Sequence, residues 1–202
     1  GIRDRSVSRG IGDVYKRQKF TKAAGELESG LEYKVIKHIL NSAGIERFAA
    51  YQMDMVRLGI GLYGVSASGQ KGLRNVSTLK TTILQIQNVP AGDSIGYSRM
   101  SYVKRDSRIA IIPIGYADGL DRHFSNGGGE VLINGQRWPI IGNICMDACM
   151  IDVTDTHAQE GDAVIIFGDE LPVSELSDKL KTIPYEILTS ISPRVKRVYF
   201  RE

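Results

Sequence analysis

The sequence is poor in cysteine, in long apolar runs and in charge of one sign. Its 202 residues include two cysteines, Cys145 and Cys149, too few for the disulfide framework of a small secreted protein. No stretch approaches the ~18 apolar residues that cross a bilayer, and the N-terminus lacks the charged-then-apolar pattern of a secretory signal. These absences predict a cytoplasmic protein in a reducing compartment, with no membrane partner.

The charge balance argues against a nucleic-acid partner. The chain has 26 Lys and Arg against 23 Asp and Glu, a net charge of +3. Much of the basic excess lies near the two ends, which is typical of solvated termini rather than of a binding patch. The hydrophobic fraction of 42% and the charged fraction of 24% are those of an ordinary globular protein.

The histidines, cysteines and carboxylates show no metal-ligand spacing. On one strand, at ~3.3 Å per residue, Cys145 and Cys149 would share a face but lie more than ~10 Å apart. We therefore interpret both as small core side chains and expect no metal site.

Residues 1–18 differ from the rest of the chain. They have little apolar content and no helical or strand period, and they resemble adapter-derived leaders at the start of translated sequencing reads. We expect this segment to be non-native, comparable to an expression scar, so that the natural chain would be truncated at its N-terminus. A helix is expected over residues 19–31, ending near Gly30.

The pattern of apolar and polar residues changes near Ser66. Residues 33–64 alternate short apolar runs with turns, as an α/β domain does, and the polar segment 66–76 is predicted to be a linker. Beyond it most apolar patterns are those of strands, so the fold class is mainly β. One helix is expected, Ser174–Leu180 with Ser174 as N-cap. The predicted strands are Ser77–Val89, Arg108–Ile114, Glu130–Ile133, Arg137–Ile141 (after a type I′ turn at Asn134-Gly135), Asn143–Val153, Ala163–Phe167 and Arg194–Phe200.

Three kinds of short segment are unusual in a plain β-domain. They are His38-x-x-Asn-Ser, the glycine-rich run 57–64, and the Gly-Tyr pairs at 96–97 and 115–116. Each alone has an ordinary explanation, because a lone histidine is commonly a core or surface residue, a glycine-rich run a turn, and a Gly-Tyr pair a packing aromatic.

In combination these segments closely resemble the alanine racemase family. The resemblance extends over about residues 20–202 and rests on six segments in the family's order and spacing. They are the His38 segment, MVRLGIGLYG (55–64), GYS (96–98), IPIGYADG (112–119), GEVLINGQRWPIIGNICMD (129–147) and RVKRVYFRE (194–202).

The resemblance implies both a fold and an activity. Members of the family join a (β/α)8 barrel that binds pyridoxal 5'-phosphate (PLP) to a C-terminal β-domain. Residues 19–65 are then the last strands and helices of a truncated barrel, and residues 66–202 are the β-domain. The implied activity interconverts L-alanine and D-alanine for peptidoglycan synthesis. The racemase part of bifunctional chains that begin with a muramoyl-tripeptide ligase is also similar, so the parent is either a plain racemase or such a fusion.

The resemblance also implies catalytic residues. Racemisation needs an acid/base group on each face of the cofactor, and in the family these are a lysine and a tyrosine. The match places the tyrosine at Tyr97. A free tyrosine loses its proton only near pH ~10, and the family stabilises the phenolate through a histidine and an arginine, which match His38 and Arg57.

Further matching positions bind the cofactor and the substrate. Ser42 and the backbone of Gly59 and Ile60 match the phosphate site, where N–H groups suit an anion, and Arg57 matches the residue facing the pyridine nitrogen. The positions that contact the substrate or lie where it enters match Tyr116, the backbone of Met146, and Asp147. In the family they reach the barrel of the other subunit, which implies a homodimer with shared active sites.

Two departures from the family pattern stand out. The lysine that attaches the cofactor, and an arginine that binds the substrate carboxylate, match no residue here, so this chain alone is expected to be inactive. Pro193 stands where several members carry a tyrosine that contacts the phosphate.

Two alternatives to the racemase reading exist. A PLP-dependent amino-acid decarboxylase of the same architecture uses a Cys-containing segment, for which Ile144–Asp147 would be the candidate, although Tyr97 and the IGYADG segment do not fit it. A non-enzymatic β-barrel binding module would need exposed aromatic residues interleaved with basic ones, whereas Trp138 follows Arg137 in a hairpin expected to be buried.

Overall fold

The computed structural model describes residues 9–70, 72–99 and 101–200. The described residues divide into two compact units, the first ending at Leu73 and the second beginning at Arg74. No helix in these ranges is both long and apolar enough to span a membrane.

The first unit begins with helix α1, Arg9–Glu28. It starts ten residues before the helix expected at 19–31 and ends close to the expected end near Gly30, so the expected start of this helix is wrong. This helix has no apolar stripe, and a helix without one leaves no hydrophobic period to detect in the sequence. The helix does not show whether the segment is native, and the non-native leader stays a prediction.

Two extended segments that pair in parallel, with a helix between them in the sequence, follow α1. Arg57 N donates to Leu40 O at 2.8 Å and Met55 N to Lys37 O at 3.3 Å, and Asn41 and Arg57 form a parallel bridge. Helix α2, Ser42–Arg47, lies between the two paired segments. Parallel pairing requires such a crossover, and repeated units of this kind build a (β/α)8 barrel. The α/β character predicted for this region is confirmed.

Glu46 of α2 fixes the beginning of the predicted linker. Its carboxylate accepts hydrogen bonds from Ser66 Oγ at 2.7 Å, from Ser68 N at 3.0 Å and from Ala67 N at 3.1 Å, and also from the Ser68 hydroxyl. These donors, with the Ser68 hydroxyl first, lower the pKa of Glu46. The first three linker residues are therefore tied to the helix that begins at Ser42.

The second unit is built on a seven-stranded antiparallel sheet. The strands of this unit are β1 (Leu79–Thr82), β2 (Gln85–Val89), β3 (Ser94–Ile95), β4 (Ser101–Tyr102), β5 (Ser107–Ile112), β6 (Glu130–Ile133), β7 (Gln136–Ile141), β8 (Cys149–Asp152) and β9 (Ala163–Phe167). The spatial order in the sheet is β1-β9-β6-β7-β8-β5-β2, and β3 and β4 form a separate two-stranded ribbon. Two helices follow the last strand, α3 (Val173–Lys179) and α4 (Pro184–Ser190).

The sheet curls because its two edge strands are consecutive in the chain. Only Ile83 and Leu84 separate β1 from β2. Ile83 N donates to Asp162 O, next to β9, and Leu84 N donates to Ile111 O of β5, each at 2.9 Å. The chain thus passes directly from one edge of the sheet to the other, and Ile83 is buried inside the curve. The largest fully buried side chains of this unit include Ile112, Val131, Ile133, Ile140, Ile151, Val164 and Ile166.

Several predicted strands are confirmed, and each of them lies in an alternating or apolar run of residues. They are β5, β6, β7 and β9. The turn between β6 and β7 has positive φ at both Asn134 (50°) and Gly135 (75°), as a type I′ turn requires. The single strand expected at 77–89 is the pair β1 and β2.

Other expectations for this unit are wrong. The strand expected at 143–153 is reduced to β8, because Gly142 has φ of 64° and Cys145 N bonds back to Ala148 O. Residues 194–200 form no strand, and α4 was not expected at all. Proline commonly interrupts a helix, so Pro184 argues against one in the sequence, but proline is favoured in the first turn of a helix. Ser174 lies inside α3, whose N-cap is Pro172.

Candidate active site

The first unit holds Ser42, Gly59 and Ile60 together, although the chain separates them. Ser42 is the first residue of α2, and Asn41 caps that helix by accepting from Gly44 N at 3.0 Å. The buried Ser42 Oγ accepts from Gly59 N at 2.9 Å and from Gly61 N at 3.4 Å. Gly59 precedes the 3-10 helix Ile60–Tyr63, and Ile60 N–H donates to no residue in the described ranges.

This arrangement can accept an anion. A serine hydroxyl that already accepts backbone donors keeps its own proton to donate. Beside it, the unpaired N–H of Ile60 lies at the start of a helical turn, where the backbone dipoles favour negative charge. Both predicted kinds of contact, a hydroxyl and backbone N–H groups, therefore meet at one place.

Arg57 and His38 lie on the paired segments of the same unit. Arg57 Nη2 donates to Ile39 O at 2.9 Å. His38 is half-buried, and its Nδ1 is buried with no hydrogen-bond partner among the described residues. The described residues show no hydrogen bond between His38 and Arg57, so the expected link from this histidine to this arginine is not formed here. A buried ring nitrogen without a partner is costly and indicates a group still to be bonded.

In the second unit, the turn 115–119 carries the loop 143–147. Tyr116 N donates to Cys145 O and Ala117 N to Met146 O, both at 3.0 Å. A Cβ on Gly115 would lie 2.3 Å from Cys145 O and 2.4 Å from Met146 O. Only glycine permits this approach, which explains the glycine of the IGYADG segment.

Arg194 connects this turn and this loop to a third segment. Its Nε donates to Asp118 Oδ1 at 2.7 Å, and its Nη2 donates to Asp147 Oδ1 at 2.6 Å. Asp118 Oδ2 in turn accepts Gly115 N at 2.8 Å. Asp118 first, and then Asp147, raise the pKa of the Arg194 guanidinium above its ordinary value. One cation therefore serves two carboxylates.

Tyr97, Tyr116 and Met146 are exposed side chains of the second unit. Tyr97 is 73% exposed and begins a 3-10 turn, Tyr97–Arg99, whose carbonyl at Tyr97 accepts from Asn143 Nδ2 at 3.5 Å. Met146 N–H has no partner in the described part of the chain. The groups expected to meet a ligand are thus accessible, and the predicted link from His38 to Tyr97, which joins different units, stays a prediction.

The two thiols have unequal surroundings. Cys149 lies on β8 and is almost fully buried, and this burial raises its pKa to about 12. Cys145 is half-buried in the loop, with Sγ 3.6 Å from Asn143 O. Within the described ranges, no group of three or more His, Cys, Asp or Glu side chains could hold a metal ion.

Arg194 and Asp118 are the residues that sequence reasoning missed as parts of this site. Both lie within the recognised segments, IGYADG and RVKRVYFRE, but no local period relates residues so distant in the chain. Ser190 to Ser192, which lie just before Arg194 and bring it to the turn, match no motif. Ser192 N donates to Asp118 O at 3.0 Å.

The fold defines a two-part protein in which the end of an α/β barrel precedes a curled β-domain. Comparison with known families agrees with this division. The alanine racemase N-terminal domain matches residues 13–67, and the alanine racemase C-terminal domain matches residues 76–199. The chain belongs to the alanine racemase family.

Individual relatives show the same similarity. Alanine racemase 1 of Caldanaerobacter subterraneus subsp. tengcongensis is 43% identical in an alignment of length 199 that covers 92% of this chain and 51% of the relative. The alanine racemase of Desulfovibrio desulfuricans is 40% identical in an alignment of length 187 that covers 90% of this chain and 50% of the relative. The chain therefore spans about half the length of the curated relatives that it matches.

Solved structures extend the similarity to the fold. Alanine racemase from Bartonella henselae, crystallised with covalently bound pyridoxal phosphate, superposes with a TM-score of 0.86 at 35% identity, covering 98% of this chain and 54% of that one. Alanine racemase of Clostridium difficile 630, in complex with cycloserine, superposes with a TM-score of 0.83 at 36% identity, covering 91% of this chain and 51% of that one.

The thiol environments predict unequal reactivity. Because the thiolate is the reactive form, Cys149 should resist iodoacetamide in the folded protein at pH 8 and react only after unfolding in urea. Peptide mass spectrometry should find label in native protein at Cys145 and not at Cys149. Rapid labelling of Cys149 under native conditions would contradict its position inside the sheet.

Proposed function

We propose that this chain is the C-terminal part of a PLP-dependent alanine racemase that interconverts L-alanine and D-alanine. The observation that supports it most is the anion cradle of the first unit: the buried Ser42 hydroxyl accepts hydrogen bonds from the N–H groups of Gly59 and Gly61, and the N–H of Ile60 between them has no partner in the described ranges. A phosphate dianion matches these donors, and the family to which the chain belongs includes a structure with covalently bound pyridoxal phosphate.

The residues of the first unit would hold and tune the cofactor. Bound pyridoxal phosphate supplies the electron sink for the carbanion left when the proton leaves Cα. The Ser42 hydroxyl and the Ile60 N–H would hold its phosphate, and Gly59, whose own N–H holds Ser42 Oγ, would let the phosphate approach the main chain because it has no side chain. Arg57 would face its pyridine nitrogen and, being always protonated, would donate a hydrogen bond there, so that this nitrogen would carry no proton. A weaker electron sink favours rapid return of a proton to Cα over transamination.

The residues of the second unit would serve the substrate. Tyr97 exchanges the proton on one face of Cα, and a lysine outside this chain serves the other face. The phenolate of Tyr97 needs a nearby cation, which His38 and Arg57 provide in this proposal. Met146 N–H and Asp147 contact the substrate, and Tyr116 lies where it enters.

The proposal includes a homodimer whose β-domain residues complete the barrel site of the other subunit. The exposure of Tyr97, Tyr116 and Met146 supports it, since side chains in a site closed within one domain would be buried. The decarboxylase alternative is less favoured, because the matching families and relatives are racemases.

The role of Tyr97 can be tested in the full-length protein that contains this chain. Tyr97→Phe removes the hydroxyl that carries the proton and should slow conversion of L-alanine to D-alanine by about 10²- to 10⁴-fold. PLP absorbance should remain unchanged. Tyr102→Phe is the matched control, since Tyr102 is 61% exposed in the same unit.

Either of two results would overturn part of the proposal. A Tyr97→Phe enzyme that racemises at the wild-type rate would remove Tyr97 from the reaction. A wild-type protein that binds PLP but does not racemise alanine would overturn the function itself.

The phosphate role of Ser42 predicts a binding defect. Ser42→Ala removes a donor to a charged group, a contribution of about 1.5–3 kcal/mol, so PLP affinity should fall about tenfold or more. The control is Ser107→Ala, since Ser42 and Ser107 are both 5% exposed. Titration of the apoenzyme, followed by absorbance, measures the affinity. Equal affinities for the two variants would show that the cradle does not hold the phosphate.

A further inference from the structure

A cation–carboxylate cluster lies beside the residues that would contact the substrate. It consists of Arg194, Asp118 and Asp147, which we call the Arg194 cluster. Arg194 is the one side chain of the described residues that hydrogen-bonds to both carboxylates, at 2.7 Å to Asp118 and 2.6 Å to Asp147.

The two carboxylates of the cluster differ in what else holds them. Asp118 is largely buried, with 14% of its side chain exposed, and it also accepts Gly115 N. Asp147 is 63% exposed. Its carboxylate has no other hydrogen bond or ion pair in the described ranges. Arg194 is therefore the group that orients the Asp147 carboxylate and balances its charge.

That balance matters because of what adjoins Asp147. Met146 N–H has no protein partner, and in the proposed function it contacts the carboxylate of alanine. With Arg194 present, the cluster carries one net negative charge, whereas without it the cluster would carry two, and the exposed Asp147 carboxylate would be unbalanced beside an incoming anion. Like charges at short range oppose binding, less strongly at exposed positions than at buried ones.

We propose that Arg194 is a positioning residue that sets the affinity of this site for the substrate carboxylate by orienting and neutralising Asp147. The inference rests on the proposed function. It assigns Arg194 no contact with the substrate and no proton transfer, so its effect should fall on binding rather than on the chemical step.

The test measures KM and kcat for alanine in the full-length enzyme. Arg194→Gln should raise KM about tenfold with kcat within about threefold of wild type, the pattern of lost binding that is equal in ground and transition states. The inhibition constant of propionate, which has the carboxylate but no amine, should rise in parallel. Arg194→Lys, which keeps the charge but not the fork, should recover part of the lost affinity.

A second substitution separates charge from structure. If unbalanced Asp147 causes the loss, Arg194→Gln combined with Asp147→Asn, which removes the charge but keeps a side-chain oxygen for the substrate contact, should have a lower KM than Arg194→Gln alone. Arg137→Gln is the matched control, since Arg137 forms a comparable exposed fork with Glu175, at 2.6 and 3.1 Å, on the surface of the same unit. It should lower thermal stability no less than Arg194→Gln and leave KM unchanged.

The outcomes distinguish this inference from the function on which it rests. Wild-type enzyme that racemises alanine, together with unchanged KM and propionate inhibition in Arg194→Gln, would overturn the inference alone. So would an Arg194→Lys variant as weak as Arg194→Gln, or a double variant weaker than the single one. Wild-type enzyme that does not racemise alanine would overturn the proposed function, and this inference with it.

Discussion

The close approach of Gly115 to the carbonyl oxygens of Cys145 and Met146 is the constraint on which the β-domain part of the site depends. The two hydrogen bonds that follow it, from Tyr116 N and Ala117 N, fasten the loop to the turn through the main chain. Because main-chain contacts leave few degrees of freedom, the position of Met146 is set before any side chain contributes. Arg194 then links both the turn and the loop to the C-terminal segment through its side chain.

The sheet explains why this approach occurs where it does. Strand β5 runs into the turn, and β8 leaves the loop. The two strands are antiparallel neighbours, with Ile112 opposite Cys149. The end of one strand and the start of the other therefore meet at the same edge. The curl imposed at Ile83 and Leu84 packs both strands around one core, so the loops rest on a rigid base. Function on loops carried by a rigid scaffold is a common arrangement.

The sequence predicted those parts of the fold that have a local signal. The type I′ turn at Asn134-Gly135 and the strands β5, β6, β7 and β9 followed from turn chemistry and apolar runs. The loop 143–148 did not, because its residues alternate like a strand, while Gly142 and the bond from Cys145 to Ala148 bend it away. The start of helix α1 was not predicted because this helix lacks an apolar stripe. Helix α4 was not predicted because it begins with a proline, which more often interrupts a helix.

The candidate site, like the fold, was predicted only where the sequence carries a recognisable segment. The resemblance to the family identified Ser42, Gly59 and Ile60, and the structure brings Ser42 and Gly59 within a hydrogen bond. The Arg194 cluster joins residues far apart in the chain, and its geometry depends on how the sheet brings three segments together. Such a contact becomes visible only in the folded chain. The roles of Tyr97, His38 and Arg57 remain predictions, since Tyr97 belongs to the second unit and the other two residues belong to the first.

The most direct test of the account replaces Gly115 by alanine in the full-length enzyme and measures alanine turnover together with hydrogen exchange of residues 143–147. The added Cβ must displace the loop, at a cost of about 1–3 kcal/mol, so catalytic efficiency should fall about tenfold or more and exchange in the loop should accelerate. Gly25→Ala, where a Cβ meets nothing within 4 Å, should change neither. Wild-type turnover and exchange in Gly115→Ala would contradict the claim that this backbone contact positions the site.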